Sequence, residues 1–182
     1  MSSNIINLLW ESFLETILMV GVSGGLGAAI GIPLGVFLFV TSPKGIMPKP
    51  YVNRIIGTVV NAVRSTPFII LLVAIIPFTR LIVGSSIGTV AAIVPLTIAA
   101  APLIARLVET SLREVDKGLI EAAQSMGATN TQIICKVLIP EAMPGILAGL
   151  TIAFVALVGS SAMAGAVGGG GLGDMGIRYG YQ

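Results

Sequence analysis

Long runs of apolar residues alternate with short polar connections along this chain of 182 residues. The first run, Ile17–Val40, holds 24 residues without a charge, which is enough helix to cross a hydrocarbon core of about 30 Å. Further runs extend from about Ser65 to Arg80, over Ile87–Leu107 and over Ala142–Ala166. Because lipid offers the backbone no hydrogen bonds, spans of this length are helices. The pattern predicts an all-α, polytopic transmembrane protein with about four spans in one domain, residues 1–182.

A polar segment, residues 110–140, lies between the last two apolar runs and carries the signals of ordered structure. Ser111 to Glu114 has the spacing of a capping box and predicts the start of one helix, and Thr129 to Gln132 predicts the start of a second. Gly127 between them suits a left-handed helix end. Pro140 is expected to break the second helix before the last span. The segment therefore predicts two short helices with a corner, outside the membrane.

The first of these helices has apolar and charged faces. Residues at spacings of three and four predict an apolar stripe, formed by Leu112, Val115, Leu119, Ala123 and Met126. Charged residues on the other face predict two ion pairs at a spacing of four, Glu109–Arg113 and Lys117–Glu121. A helix pair lying on the membrane surface and a docking site for a protein outside the membrane are the two interpretations of this pattern.

Small and unusual residues mark positions inside the spans. Residues at every fourth position predict a groove along the first span for close helix packing: Ser23, Gly27, Gly31 and Gly35. The alternative is a lipid-facing helix with incidental glycines. Pro95, Ser160 and Ser161 are candidates for lining a solute pathway. Ordinary close packing is the alternative for the proline, and hydrogen bonding within the helix is the alternative for the serines.

Composition narrows the function further. The chain is 55% hydrophobic and 10% charged, with a mean hydropathy of +1.00, which excludes an ordinary soluble domain. With no His and one Cys, Cys135, it has no histidine metal site, no histidine proton relay and no intrachain disulfide. The middles of the spans lack the charged groups of ion-coupled carriers and the nucleophile and base of an intramembrane enzyme. No metal or other cofactor is expected in this chain.

The energy for any transport must come from elsewhere, because no phosphate-binding loop is present. The glycine-rich run Gly165–Gly173 lacks the Lys-Ser/Thr of such a loop and predicts a turn or hinge. The chain is therefore not expected to be an enzyme, and a driving partner would act on the polar segment. A channel subunit, which conducts without ATP, and a membrane scaffold, which needs no capped polar helices, are the competing classes. Four spans are few for a pathway, which favours a two-fold dimer.

The distribution of basic residues orients the spans. Eight of the ten Lys and Arg residues lie in the connections 41–64 and 106–140. Because cytoplasmic connections are enriched in Lys and Arg, both connections are predicted to be cytoplasmic. The N-terminus, and with four spans the C-terminus, would then lie outside the cell.

The polar segment resembles the EAA loop of permease subunits of bacterial ABC importers. The resemblance rests on Glu121-Ala122-Ala123, Gly127 and the apolar-Pro ending Val137-Leu138-Ile139-Pro140. In that family the loop docks as a coupling helix on an ATPase subunit. By resemblance, the coupling residues here are Glu121, Ala122, Ala123, Met126, Gly127, Ala128, Thr129 and Pro140.

A second motif lies upstream. Arg64-Ser65-Thr66-Pro67 resembles the Arg-x-x-Pro that opens a core helix in amino-acid-type permeases. The resemblance implies a permease-motif or interface role for Arg64, Ser65 and Pro67. A snorkelling arginine followed by a helix-starting proline is the other interpretation.

Longer stretches are similar to methionine importer permeases, and the similarity runs from about Leu8 to Tyr181. The stretches are Arg64–Val73, Ile76–Arg80, Ala92–Thr97, Gly118–Ala122 and Gly165–Tyr181. This family implies a homodimer in the bacterial inner membrane, two ATPase subunits that bind ATP and Mg, and a lipid-anchored or periplasmic methionine-binding protein. It implies no nucleic-acid partner. The implied substrate is methionine of either hand, with another amino acid or small solute as the alternative.

One departure from the family concerns the end of the chain. Permeases of this family usually carry a fifth span after the glycine-rich run, whereas this sequence stops at Gln182. The fifth span is therefore expected to be missing, and a truncated, non-transporting membrane protein is a further alternative.

Overall fold

The computed structural model describes residues 3–180, and every regular element in that range is helical. The first five helices are α1 (Ser3–Val40), α2 (Pro50–Ser65), α3 (Phe68–Ala74), α4 (Ile76–Val83) and α5 (Thr89–Arg113). They are followed by α6 (Lys117–Ser125), α7 (Asn130–Ile133), a π turn (Ile134–Leu138), α8 (Ile139–Ala164), a second π turn (Gly165–Gly169) and α9 (Gly171–Gly180). The predicted all-α fold is confirmed.

Three stretches of the described chain are long and apolar enough to cross a membrane: Ile5–Val40, Thr89–Arg113 and Asn130–Gly169. The pair α2 and α3 counts as a fourth if a bend of 106° is allowed within one span. The prediction of about four spans agrees with this range, but the bent pair covers Pro50–Ala74 rather than the predicted residues from about Ser65 to Arg80.

The core of the bundle is built around α5, which packs against both α1 and α8. Its buried side chains recur every four residues at Leu96, Ala100, Ile104 and Val108, and each is at most 1% exposed. Because a helix turns once in about 3.6 residues, this spacing forms a single buried stripe. The stripe makes α5 the element to which the other spans are fixed.

Helix α1 packs closely against α5 along one seam. A methyl group added at Gly27 would lie 2.6 Å from the Ala100 side chain, and one added at Gly31 would lie 2.7 Å from the Ala101 carbonyl oxygen. One at Gly35 would lie 2.5 Å from the carbonyl oxygen of Ala105. Ser23 is fully buried on the same stripe, and its hydroxyl donates to the Met19 carbonyl at 2.5 Å. The small residues thus allow α1 to lie directly against the backbone of α5.

Helix α1 is longer than the predicted span, because it begins at Ser3 rather than near Ile17. Its first half is held by α9. The Gly171 amide donates to Glu15 at 2.7 Å, and the Leu172 amide donates to the Thr16 hydroxyl at 2.9 Å. These contacts give two polar side chains of α1 partners that are remote in sequence. A hydropathy pattern, which registers only local composition, does not reveal them.

The span predicted from about Ser65 to Arg80 is not one continuous helix. Thr66 is extended, with φ −79° and ψ 125°, and separates α2 from α3. The cause is Pro67, because a proline ring clashes with a helical conformation of the residue before it. A second interruption at Ile75 separates α3 from α4, which has a proline in its first turn. The region therefore consists of short helices joined by corners.

The glycine-rich run forms a sharp bend, in agreement with the predicted turn. Val167 and Gly168 leave the helical conformation, and Gly168, Gly170 and Gly171 all have positive φ. Glycine adopts this backbone region without the strain that a Cβ brings. Helix α9, Gly171–Gly180, follows directly, so the predicted turn is continued by a helix that was not predicted.

Candidate coupling hairpin

The polar segment between α5 and α8 forms a compact helical hairpin, made of α6, a corner at Gly127 and α7. Its first helix does not begin at Ser111, as the capping-box spacing predicted. Ser111 lies within the last turn of α5, where its hydroxyl donates to the Leu107 carbonyl at 3.0 Å. Serine makes this bond readily when a helix continues through it. The actual N-cap of α6 is Asp116, whose carboxylate accepts from the Gly118 amide at 2.7 Å.

The corner of the hairpin is a closed hydrogen-bonded motif. The Gly127 amide donates to the Gln124 carbonyl at 2.9 Å, and the Ala128 amide donates to the Ala123 carbonyl at 3.1 Å. Gly127 has φ +78°. This pair of bonds around a left-handed residue is the Schellman helix ending. The corner predicted at Gly127 is therefore present, and its angle is fixed by the backbone.

The second helix begins with the predicted capping box. The Thr129 amide donates to the Gln132 side chain at 2.9 Å, and the Gln132 amide donates back to the Thr129 hydroxyl at 3.4 Å. The prediction that Pro140 ends this helix is wrong. The chain passes through the π turn Ile134–Leu138 directly into α8, and the Ile139 amide bonds to the carbonyl of Ile134, five residues earlier. The wider turn lies immediately before the proline, which stands in the first turn of α8, where its missing amide is not needed.

An ion-pair network lies at the end of α5, beside the start of the hairpin. Glu109 is 3% exposed and accepts from Arg106 at 2.5 Å and from Arg113 at 2.6 Å. Arg106 also donates to the Gly57 carbonyl of α2 at 2.9 Å. The predicted pair Glu109–Arg113 is confirmed. The predicted pair Lys117–Glu121 is not among the ion pairs formed by residues 3–180. Both side chains are exposed on α6.

The role of Arg106 was missed in the sequence. Its spacing of three residues from Glu109 was the available signal, because side chains at that spacing share a helix face. The contact with Gly57, 49 residues away, has no local signature. Through it, the end of α5 is tied to α2.

The apolar stripe predicted for one helix divides into a buried and an exposed set. Leu112, Val115 and Ala123 are buried, and together they hold the hairpin against the bundle. Leu119 and Met126, by contrast, are 42% and 81% exposed. With Ala122, which is also exposed, they lie at spacings of three and four on one side of α6. We call Leu119, Ala122 and Met126 the outer face.

The remaining residues of the predicted coupling loop lie around this face. Glu121 is exposed on another side of α6, and Ala128 is half-buried beside the corner. Ile133 of α7 is fully buried, so α7 is held at its base while Thr129 at its start is exposed. Pro140 is exposed in the first turn of α8. The structure therefore brings these residues together except for Pro140, which belongs to the span.

Arg64, Ser65 and Pro67 lie at the corner between α2 and α3. Arg64 is in the last turn of α2, where a cation interacts favourably with the helix dipole. The Ser65 hydroxyl donates to the Ala62 carbonyl at 3.0 Å, and Pro67 precedes the first residue of α3. Within the described chain, this motif therefore shapes a turn.

The candidate pathway residues lie away from the hairpin. Pro95 is buried in α5 and lines a small cavity of about 20 Å³ with residues such as Leu72 and Thr79. The Ser160 hydroxyl donates to the Ala156 carbonyl at 3.2 Å. Ser161 is 2% exposed, and its hydroxyl donates to Val158 at 2.8 Å. Both serines thus bond to their own helix. Among residues 3–180, no group of three His, Cys, Asp or Glu is placed to hold a metal ion.

Comparisons with known proteins fit this geometry. Residues 31–181 match the family described as binding-protein-dependent transport system inner membrane component. A probable D-methionine transport system permease protein of Vibrio cholerae is 59% identical over 176 residues, covering 97% of this chain and 78% of that protein. The D-methionine transport system permease protein of Escherichia coli K12 is 55% identical, covering 91% and 76%. A methionine import system permease protein of Bacillus subtilis is 49% identical, covering 96% and 78%.

The fold is also similar to solved structures. The chain matches a chain of the MetNI methionine ABC transporter, solved in inward-facing conformations, with a TM-score of 0.97 and 55% identity, covering 100% of this chain and 84% of that chain. A chain of an amino acid ABC transporter matches with a TM-score of 0.78 at 22% identity, which shows a common fold alone. The chain therefore belongs to the family of binding-protein-dependent transport system inner membrane components.

Proposed function

We propose that this chain is the permease subunit of an ATP-driven methionine importer of the bacterial inner membrane, and that a separate ATPase subunit binds the hairpin. The observation that carries the proposal is the outer face: Leu119 and Met126 are exposed on a hairpin that is otherwise polar and fully capped. Exposed apolar side chains on a rigid, polar support are the features of a protein docking site. The 81% exposure of Met126 makes it the first contact residue to test.

The hairpin is built to transmit motion. On one side three residues, 114–116, join it to α5, and on the other side α7 continues without a break through the π turn into α8. Helices α5 and α8 pack on each other in the core. A displacement of the hairpin by the ATPase would therefore act on both helices at once. Packed cores respond to such displacements by moving between discrete arrangements rather than by deforming continuously.

The orientation and assembly follow from charge and from size. The basic connections 41–64 and 106–140 would face the cytoplasm, which gives the hairpin access to two ATPase subunits that bind ATP and Mg. The N-terminus and a lipid-anchored or periplasmic methionine-binding protein would lie outside. A second copy of the chain would complete the pathway, since three or four candidate spans lie within residues 3–180 of one copy. Pro95, Ser160 and Ser161 are the proposed pathway residues.

The substrate is assigned from the relatives. Permeases of Vibrio cholerae, Escherichia coli and Bacillus subtilis at 49–59% identity are named for methionine or D-methionine transport. Methionine of either hand is accordingly the proposed substrate. A different amino acid or small solute is tested as a competitor in the experiment below.

The test is uptake into proteoliposomes that contain the chain, its ATPase subunit and its binding protein. Labelled L- and D-methionine should accumulate with ATP and should not accumulate with a non-hydrolysable analogue. Excess unlabelled methionine should abolish the signal, while other amino acids should leave it intact. Flux that continues without the ATPase would instead identify a channel. ATP-dependent uptake of a competitor in preference to methionine would overturn the substrate assignment and leave the importer assignment standing.

A further inference from the structure

A cleft of about 420 Å³ lies between the hairpin and the connection that follows α1. Lys44 enters it from the connection, Arg113 from the end of α5 and Lys117 from the start of α6. Glu121 is the one acidic residue among the residues that line it. We call this the basic cleft. Its volume falls within the range of about 300–1,000 Å³ that is typical of small-molecule sites.

The basic cleft has an apolar side as well as a cationic one. Phe39 and Ile46 line it, and both are half-buried residues packed against the hydrophobic core. Phe39 belongs to the last turn of α1, so the cleft opens at the level where a candidate membrane span ends. The proposed cytoplasmic placement of the connection puts this end of α1 at the inner surface of the bilayer, where polar headgroups give way to hydrocarbon. A ligand that fits both sides carries an anionic group next to an apolar part.

The cationic side chains of the basic cleft have hydrogen-bond donors that the ion pairs among residues 3–180 leave unused. Lys44 and Lys117 are exposed and take part in none of the ion pairs among residues 3–180. Arg113 is 60% exposed, and its contact with Glu109 uses one of its two terminal nitrogens. A guanidinium carries five donors, and its fork matches the oxygens of a phosphate. Three convergent cations of this kind are complementary to a phosphate group.

We infer that the basic cleft binds the phosphate headgroup of an anionic phospholipid of the inner leaflet. This inference uses the proposed cytoplasmic placement of the hairpin but not its docking to an ATPase. Basic pockets between membrane helices on the cytoplasmic side bind anionic headgroups through the same combination of charge and depth. Because the cleft is formed in part by α6, a bound lipid would hold the hairpin against the connection after α1.

The cleft and the outer face occupy opposite sides of α6. Lys117, Glu121 and Gln124 line the cleft, whereas Leu119, Ala122 and Met126 do not. At about 100° per residue the two sets lie roughly half a turn apart. Lipid binding and partner binding on α6 are therefore separable by mutation.

The test is native mass spectrometry of the purified full chain, titrated with phosphatidylglycerol and, in parallel, with phosphatidylcholine. Phosphatidylglycerol should be retained more strongly than phosphatidylcholine. The double variant Lys44→Gln/Lys117→Gln should lower the affinity for phosphatidylglycerol by roughly 10- to 30-fold, since each basic residue near an anionic surface contributes about a five-fold factor. The matched control is Lys49→Gln, which removes an exposed lysine of the same connection that does not line the cleft; its affinity should stay at the level of the parent.

Three results would overturn the inference. Equal retention of the two lipids by the parent chain would show that the charge of the headgroup is not recognised. Displacement of phosphatidylglycerol by inorganic phosphate at equal concentration would indicate a site for a free anion rather than for a lipid. If the double variant keeps its lipid but loses the ATPase subunit in co-purification, the cleft is a protein contact instead.

Discussion

Gly31 in the seam and Gly127 in the hairpin corner are both required, but for different physical reasons. A Cβ at Gly31 would lie 2.7 Å from the Ala101 carbonyl oxygen and 2.8 Å from the Ile104 side chain. A Cβ at Gly127 would meet nothing within 4 Å, yet the backbone there has φ +78°. The seam needs glycine for space, whereas the corner needs glycine for its conformation.

The two regions therefore respond differently to the same kind of mutation. In the seam, helices touch backbone to backbone, and added volume separates α1 from the central helix α5. In the hairpin, hydrogen bonds fix the shape while the outer face stays open. Mutations in the seam are expected to destabilise the whole bundle. Mutations in the hairpin are expected to leave the bundle folded and to change what binds to it.

The largest effect is expected for Gly31→Leu. Leucine would push against the carbonyl oxygen of Ala101, which is backbone and cannot rotate away, so the cost should reach about 3 kcal/mol, the upper end of overpacking effects. The measurement is the thermal unfolding midpoint of the detergent-solubilised chain. Gly25→Leu is the control, because a Cβ there meets nothing within 4 Å. Equal midpoints for the two variants would show that the seam is not closely packed.

A smaller loss of stability is expected for Glu109→Gln, which breaks the network at the junction of the bundle and the hairpin. Removing one partner of a buried ion pair costs about 3–5 kcal/mol when both charges are buried. Arg106 is 22% exposed and Arg113 60% exposed, so water offsets part of this cost, and we expect about 2 kcal/mol. Glu114→Gln, at an exposed carboxylate nearby, should have no measurable effect. Proteolysis of α2 should also accelerate in Glu109→Gln if Arg106 then releases Gly57.

Features that local sequence alone decides were predictable, whereas features that depend on how the neighbouring helix continues were not. The small-residue stripe and the Thr129 capping box are local patterns, so their spacing was sufficient. Ser111 was misjudged because its hydroxyl can cap a new helix or bond back within an old one, and only the continuation of α5 decides between the two. Pro140 was misjudged because the chain continues from α7 through a π turn and places the proline in the first turn of α8, where its missing amide is not needed.

Contacts between residues far apart in the sequence could not be predicted, unlike the local effect of a proline. The corner at Thr66 could have been inferred from Pro67 alone, since the residue before a proline avoids the helical region. The caps that Glu15 and Thr16 provide for α9 could not have been, because the partners lie 156 residues apart. The basic cleft is likewise formed by residues that are distant in the sequence. Its lysines belong to connections that only the folded bundle brings together.

In the hairpin, Gly127→Val should affect the stability of the chain and its ATP-driven transport to different extents. A β-branched residue at positive φ is a strained outlier, with a cost of about 1–2 kcal/mol. We expect a small drop in the unfolding midpoint but a large loss of ATP-driven methionine uptake, because the angle between α6 and α7 would change. Gly127→Asn is the control, since asparagine tolerates the left-handed region, and it should retain most of the uptake. Normal uptake by Gly127→Val would contradict the view that a fixed corner is needed.

The smallest effect on stability, and the sharpest test of the outer face, is expected for Met126→Asp. The side chain is 81% exposed, so its replacement should leave the unfolding midpoint within about 0.5 kcal/mol of the parent. Binding of the ATPase subunit should nevertheless weaken by at least tenfold, since an apolar anchor at an interface is worth about 2 kcal/mol or more. Co-purification at a series of subunit concentrations measures this.

The control for Met126→Asp is Gln124→Asp, which adds the same charge to the same helix on the cleft side. It should bind the ATPase subunit like the parent, because it leaves the outer face intact. If both variants lose the subunit equally, charge rather than the apolar contact governs docking. If neither does, the partner binds the chain elsewhere, and the exposed methionine needs another explanation. The stability of the bundle should be unchanged in either case, because neither side chain contributes to the buried core around α5.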